Sequence, residues 1–141
     1  MGTLLVKPSV RFEHQTIGGA CLIAALFWAA HRCPFDLVIT SGSDGEHSGP
    51  DDPHHMGNAF DVRSHDLRLE DKQLVLHLAM GFLAELTDQF GVDARVVNAS
   101  DGLATGLFFG YLEDVGSKNE HYHWQVRKGK SLPLDEATVR A

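Results

Sequence analysis

The 141-residue sequence predicts an α+β domain in which helices cover one face of a mainly antiparallel sheet. Three observations lead to that class. Two long stretches carry helix signals, one apolar almost throughout and the other amphipathic. Short strand-like runs, bounded by Gly, Pro, Ser and Asp, lie between and after them. The last two of these runs are neighbours in sequence and pair naturally as a hairpin. The length suits one domain over 1–141 with a core of its own, and no repeat or linker divides it.

In chain order, Ile17 to His31 reads as a helix, with Thr16 as N-cap and Cys33-Pro34 ending it. Because it is apolar on nearly every side, we expect it to cross the back of the sheet. Leu37 to Thr40 is a short buried strand, and Ser41 to Pro53, rich in Gly, Ser and Asp, is a loop. Phe60 to Arg63 is the next strand. Asp71 to Phe90 forms an amphipathic helix with apolar residues at Leu74, Leu78, Phe82 and Leu86, closed by Gly91. Ala94 to Asn98 is a strand, and Leu107 to Glu113 pairs with His121 to Arg127. The tail from Lys128 to Ala141 shows no period. Trp28 and Trp124 read as core residues.

Composition narrows the possible functions. A formal charge of −7 argues against a nucleic-acid partner, because phosphate binding needs a basic face. Hydrophobic content of 43% and charged content of 22% are those of an ordinary globular protein. The apolar run from Ile17 to Ala30 is too short to span a membrane. Met1 to Phe12 lacks the order of a secretion signal, so a cytoplasmic site of synthesis is expected. Cys21 and Cys33 have no metal-ligand spacing and are expected to be buried or partly buried thiols rather than a disulfide.

The chemistry is concentrated in two short segments. His54-His55-Met56-Gly57-Asn58-Ala59-Phe60-Asp61 and, later, Glu120-His121-Tyr122-His123 offer His54, Asp61 and His123 as metal ligands. Imidazole nitrogen and carboxylate oxygen suit Zn²⁺, and three protein ligands leave a fourth position for water. Seven residues of straight strand would hold His54 and Asp61 about 23 Å apart. His54 therefore belongs on a loop, Gly57 in the turn and Asp61 on the strand that follows. Alternation places His121, His123 and Gln125 on one face, and Tyr122, Trp124 and Val126 on the other. Glu120, at the strand's entry, is then placed where a turn can aim it at the metal as general base.

His-x-x-Gly-x-Ala-x-Asp followed by Glu-x-x-His resembles the zinc D-Ala-D-Ala carboxypeptidase, dipeptidase and phage L-alanyl-D-glutamate endopeptidase family, which shares a fold with the Hedgehog signalling domain. The segment Val38-Ile39-Thr40-Ser41-Gly42 is similar to the entry that precedes the first ligand in that family. Asp44-Gly45-Glu46-His47 and Asn119-Glu120-His121-Tyr122-His123 resemble its compact phage-associated subgroup. The likeness covers roughly 37–126. It implies zinc on His54, Asp61 and His123, Glu120 as base, and peptidoglycan stem peptides as substrate, reached by phage lysis or from a virion. Two features depart from the pattern. Ser41-Gly42-Ser43-Asp44 holds no Arg where many members carry one, and Asp52-Pro53 replaces the usual Ser-x before the first ligand.

Each assignment has a competitor. His121 shares a strand face with His123, and His55 adjoins His54, but the motif counts favour His123 and His54. Glu113 and Asp114 compete with Glu120 as base. Asp44 and His47 read either as a turn with a solvated imidazole or as the catalytic groups that replace the missing Arg. Arg63 falls on the Asp61 face, for a ligand, a substrate carboxylate or an ordinary salt bridge. Two other functions stand beside the endopeptidase: a D-Ala-D-Ala dipeptidase or carboxypeptidase, and a non-catalytic zinc-stabilised virion or binding domain.

Overall fold

The described residues form nine elements: β1 (Leu4–Val6), α1 (Ile17–Arg32), β2 (Leu37–Ser41), β3 (Ala59–Arg63), α2 (Leu69–Gln89), β4 (Val97–Ala99), β5 (Gly102–Ala104), β6 (Phe108–Glu113) and β7 (His121–Val126). They come from a computed structural model that describes residues 1–44, 52–54, 56–99 and 101–127. The seven strands form one mixed sheet in the order β1-β2-β3-β7-β6-β5-β4. Only the β1–β2 pair is parallel; the other pairs are antiparallel. The α+β class and the C-terminal hairpin are as expected from the sequence.

Helix α1 begins where Thr16 Oγ1 accepts the Gly19 N–H, which satisfies one of the free amides of the first turn. His31 and Arg32 in its last turn face the negative end of the helix dipole, and Cys33-Pro34 follow it. Gly18, Gly19, Leu22, Ala25, Leu26, Ala29 and Ala30 are buried along its inner side. A Cβ on Gly19 would stand 2.0 Å from the Gly57 carbonyl oxygen, so the start of α1 lies directly on the turn before β3.

Both helices lie on one face of the sheet. Their apolar residues join Leu37, Ile39, Phe60, Val62, Phe108, Leu112, Tyr122, Trp124 and Val126 in a single core. Helix α2 starts two residues earlier than the sequence suggests, and its buried stripe is rotated. Val75, Leu76, Ala79, Met80, Leu83 and Thr87 face inward, whereas Leu74 is exposed. Apolar residues cover more than one stripe of this helix, so the direction of its inner face follows from packing on the sheet. Gly91, at φ +76°, supplies the left-handed residue that closes it.

Strands β1 and β5 have no counterpart in the sequence reading. Three residues are too few for alternation to show, and β1 is recruited by parallel pairing with Leu37 to Ile39. Strand β4 is shorter than expected, lies at the sheet edge and is exposed throughout. Trp28 is only partly buried, packed at a tilt against Phe82 and covered by the Arg32 guanidinium at 3.7 Å. Cys21 and Cys33 are free thiols, the first partly buried and the second buried. The tail from Lys128 onward lies outside the described residues. No helix among the described residues is long and apolar enough to cross a membrane.

Trp124 is the largest fully buried side chain, and Gly110, its cross-strand neighbour on β6, makes room for it. A Cβ on Gly110 would stand 2.3 Å from an indole carbon. Gly110→Ala should therefore destabilise the fold by about 1–3 kcal/mol through overpacking, read as a lower urea midpoint with an unchanged slope.

Candidate metal centre

The site grows out of the pairing of β3 with β7. Asp61 stands opposite His123, and on the next strand Tyr111 stands opposite His123. Because side chains alternate along a strand, burying Phe60, Val62, Tyr122 and Trp124 under the helices sends Asp61, Arg63, His121, His123 and Gln125 to the other face. Phe109, Tyr111 and Glu113 join them from β6 by the same rule. His54 comes from the preceding turn. That turn is closed by the Asn58 N–H to the Pro53 carbonyl, and it is started by the Asp52 carboxylate accepting the His54 N–H. Gly57 sits at φ +78° in this turn, and a Cβ there would stand 2.2 Å from the His14 carbonyl oxygen. Only glycine meets both conditions.

Asp61 is the centre of the cluster. Its Oδ1 lies 3.3 Å from His54 Nε2 and 3.1 Å from His123 Nδ1. Each imidazole has its other nitrogen engaged. His54 Nδ1 is 3.1 Å from the Gly42 carbonyl oxygen, and His123 Nε2 is 2.7 Å from Gln125 Oε1. Both outer partners are acceptors to which the outer nitrogens can donate, which would free the inner nitrogens as ligands when an ion is bound. His121 follows suit, with Nδ1 2.6 Å from the Asn119 carbonyl and Nε2 turned toward Asp61 and Glu113.

His54, Asp61 and His123 offer one ligand atom each within 4.8 Å of one another, close enough to bind a metal ion. The donor set tests well against zinc. Ligand atoms at about 2.1 Å in tetrahedral array are roughly 3.4 Å apart, and the two spacings to Asp61 are close to that. Burial pushes the Asp61 carboxyl up, but hydrogen bonds from His123 and His54 and the nearby imidazoles outweigh it and hold it well below the usual carboxylate range. Burial draws His123 down, yet Asp61, Gln125 and Glu113 together carry it above the ordinary imidazole value. The cluster thus favours positive charge at its centre.

A cleft of about 370 Å³ opens over these atoms, walled by Asp52, Pro53, Tyr111, Glu113, His121 and Gln125 as well as the three ligand candidates. Glu113 Oε1 lies 3.4 Å from His121 Nε2 and 3.5 Å from His123 Nδ1. Tyr111 packs against the His123 ring at 5.2 Å. Burial and the carboxylates of Glu113 and Asp61 raise its phenol, so it stays protonated at neutral pH.

Glu120 is not brought to this cleft. It precedes β7 in the core-facing phase, and its buried carboxylate lies 2.7 Å from Lys72 Nζ of α2. The Ser64 hydroxyl donates to it at 2.8 Å, and the Gly116 N–H at 3.2 Å. The expectation that a turn aims Glu120 at the metal is corrected by strand parity. The hairpin turn bonds to Glu120 and leaves Glu113, at the other end of that turn, facing the ligands. Asp44 also acts locally, its Oδ1 accepting the Gly42 and Arg11 N–H groups. It shapes the backbone whose Gly42 carbonyl holds His54, and it does not line the cleft. His47, His55 and most of the Ser41–Pro53 loop lie outside the described residues. Gln125, on the ligand face by alternation, meets His123, and His-x-His-x-Gln on one strand is the sequence signal for that contact.

Comparison of the chain with protein-family models, curated proteins and solved structures finds no match.

Two outcomes check this geometry. His54→Ala, Asp61→Ala and His123→Ala should each lose most bound metal, whereas His121→Ala should keep it, as measured by elemental analysis after dialysis. Glu120→Gln should keep its metal but lose on the order of 3 kcal/mol of stability, because Lys72 is left partly buried without its counter-charge. Burial raises the Glu120 carboxyl, but Lys72, Ser64 and Gly116 lower it further, so its folded value lies below the unfolded one. That contribution is present above about pH 4.3 and is lost as pH falls through the folded value. Acid denaturation curves of the wild type should therefore show a component that Glu120→Gln lacks.

Proposed function

We propose that the protein is a zinc metallopeptidase that hydrolyses peptide bonds in bacterial peptidoglycan stem peptides or cross-links. The observation that carries this reading is the cleft itself. Three side chains close enough to bind a metal ion lie at its floor, and with these as ligands the Glu113 carboxylate on its wall is left for proton transfer, although Asp61, Glu113 and His121 also lie close enough together to bind one. A site that only stabilises a fold is closed by four ligands, whereas three ligands beside an open cleft suit catalysis. The choice of peptidoglycan rests on the resemblance of the His-x-x-Gly-x-Ala-x-Asp and Glu-x-x-His segments, and a phage origin rests on the same motifs.

His54 Nε2, Asp61 and His123 Nδ1 would hold the ion. When bound, Zn²⁺ supplies a Lewis acid that makes water acidic near neutral pH and polarises a carbonyl. Glu113 accepts the proton of the attacking water and returns it to the leaving amine. Its Oε1 lies within 3.5 Å of His121 and His123, which places the carboxylate over the cleft. The Tyr111 phenol, two residues before Glu113 on the same face of β6, is a donor for the carbonyl oxygen as charge develops on it. Gln125 and Gly42 act one step back, holding the two ligand rings in the tautomers that the ion needs.

Incubation with purified cell wall, with and without a chelator, followed by mass spectrometry of released fragments, tests the activity. New amino termini that appear only with zinc are expected, and their absence would leave a non-catalytic zinc domain. Glu113→Gln should lower turnover by about 10²–10⁴-fold with metal content unchanged. Glu120→Gln, assayed at a temperature where it is folded, should stay within a few-fold of wild type.

A further inference from the structure

Two of the cleft's carboxylates lie against imidazoles, Asp61 by His54 and His123 and Glu113 by His121 and His123, and the third, Asp52, accepts the His54 N–H. Among the described residues, one cation on the same face is paired with no carboxylate. Arg63 follows Asp61 by two residues on β3, so its side chain leaves the sheet on the cleft side, and its cross-strand partner is His121. It is partly buried, and among the described residues no carboxylate pairs with it. Glu113 is two strands away, about 10 Å across the sheet. In a chain of net charge −7, a guanidinium held partly out of water with no acidic partner among the described residues is an uncommon arrangement.

We propose that Arg63 is the anchor for a substrate carboxylate. The inference rests on the peptidase reading above and adds which group of the peptide the cleft recognises. Guanidinium and carboxylate match as a planar, two-bond pair, and the pairing is strongest where water is partly excluded. Strand rise places Arg63 about 7 Å from Asp61 along β3. A peptide lying along the cleft covers that distance with about two residues. The recognised carboxylate therefore belongs to a side chain or terminus within about two residues of the scissile bond. This also accounts for an Arg-free Ser41–Asp44 segment, since the cation enters from the strand after the ligand instead of the loop before it.

The test uses a stem pentapeptide with all its carboxylates free, and the same peptide with each carboxylate converted in turn to a carboxamide. Binding is measured by calorimetry to the zinc-loaded Glu113→Gln protein, which holds substrate without turning it over. One amidation should weaken binding by about 10- to 100-fold, the range of a charge-assisted pair. In the Arg63→Ala, Glu113→Gln background the same amidation should make no difference, and Arg63→Lys should restore part of the discrimination. Arg63→Gln, closer in shape, replaces Arg63→Ala if the latter does not fold. An amidation penalty that persists without Arg63, or equal binding of all the peptides, would overturn the anchor while leaving the peptidase reading intact. No binding by any peptide, with zinc content normal, would overturn both.

Discussion

The register of β3 against β7 is the constraint on which the rest of this molecule depends. It sets Asp61 opposite His123, while Phe60, Val62, Tyr122 and Trp124 take the other side of the same two strands. A slip of one residue would send the carboxylate into the apolar core and the aromatic rings into the cleft. The free energy of burying Trp124, Tyr122 and their neighbours therefore also fixes the metal-binding geometry. Little of the site's precision has to come from the site itself, which is useful where imidazoles and carboxylates must be gathered at close range.

The two faces are joined by small, specific devices. Gly57 and Gly19 let α1 rest on the turn that carries His54, and Thr16 both caps α1 and donates to Asn58 of that turn. Asp44 and Ser43 clip the chain after β2 to the Arg11 segment, and the Gly42 carbonyl just before them orients His54. On the helix side, Glu120 joins Lys72 of α2, Ser64 after β3 and Gly116 in the hairpin turn. A buried ion pair of this kind adds little net stability over an apolar pair, but it penalises every arrangement that separates its members. Here those members are the supports of the hairpin that presents Glu113, His121 and His123.

The division of labour between Glu113 and Glu120 follows from this arrangement. Both are carboxylates at the ends of one hairpin, and sequence spacing does not distinguish them by chemistry. Parity does. Glu113 pairs with His121 and shares its face, whereas Glu120 is one residue out of phase and meets a lysine. One is positioned to handle protons at the cleft, and the other holds the strands that form it.

The sequence by itself determined the class of the fold, the two helices, the hairpin and the identity of His54, Asp61 and His123 as a cluster. Those features depend on local signals: the cap at Thr16, alternation in β3 and β7, glycine at a turn, and donor types at set spacings. Tertiary structure alone decided the rest. Strands β1 and β5 are too short to carry a pattern and exist because a neighbour pairs with them. The inner stripe of α2 is chosen by the sheet, since the helix is apolar on more than one side. Glu120 is turned away from the ligands by strand parity and by Lys72, a partner 48 positions earlier in the chain that no spacing rule connects to it. Contacts over that distance are created by packing, and a side chain's role is settled there.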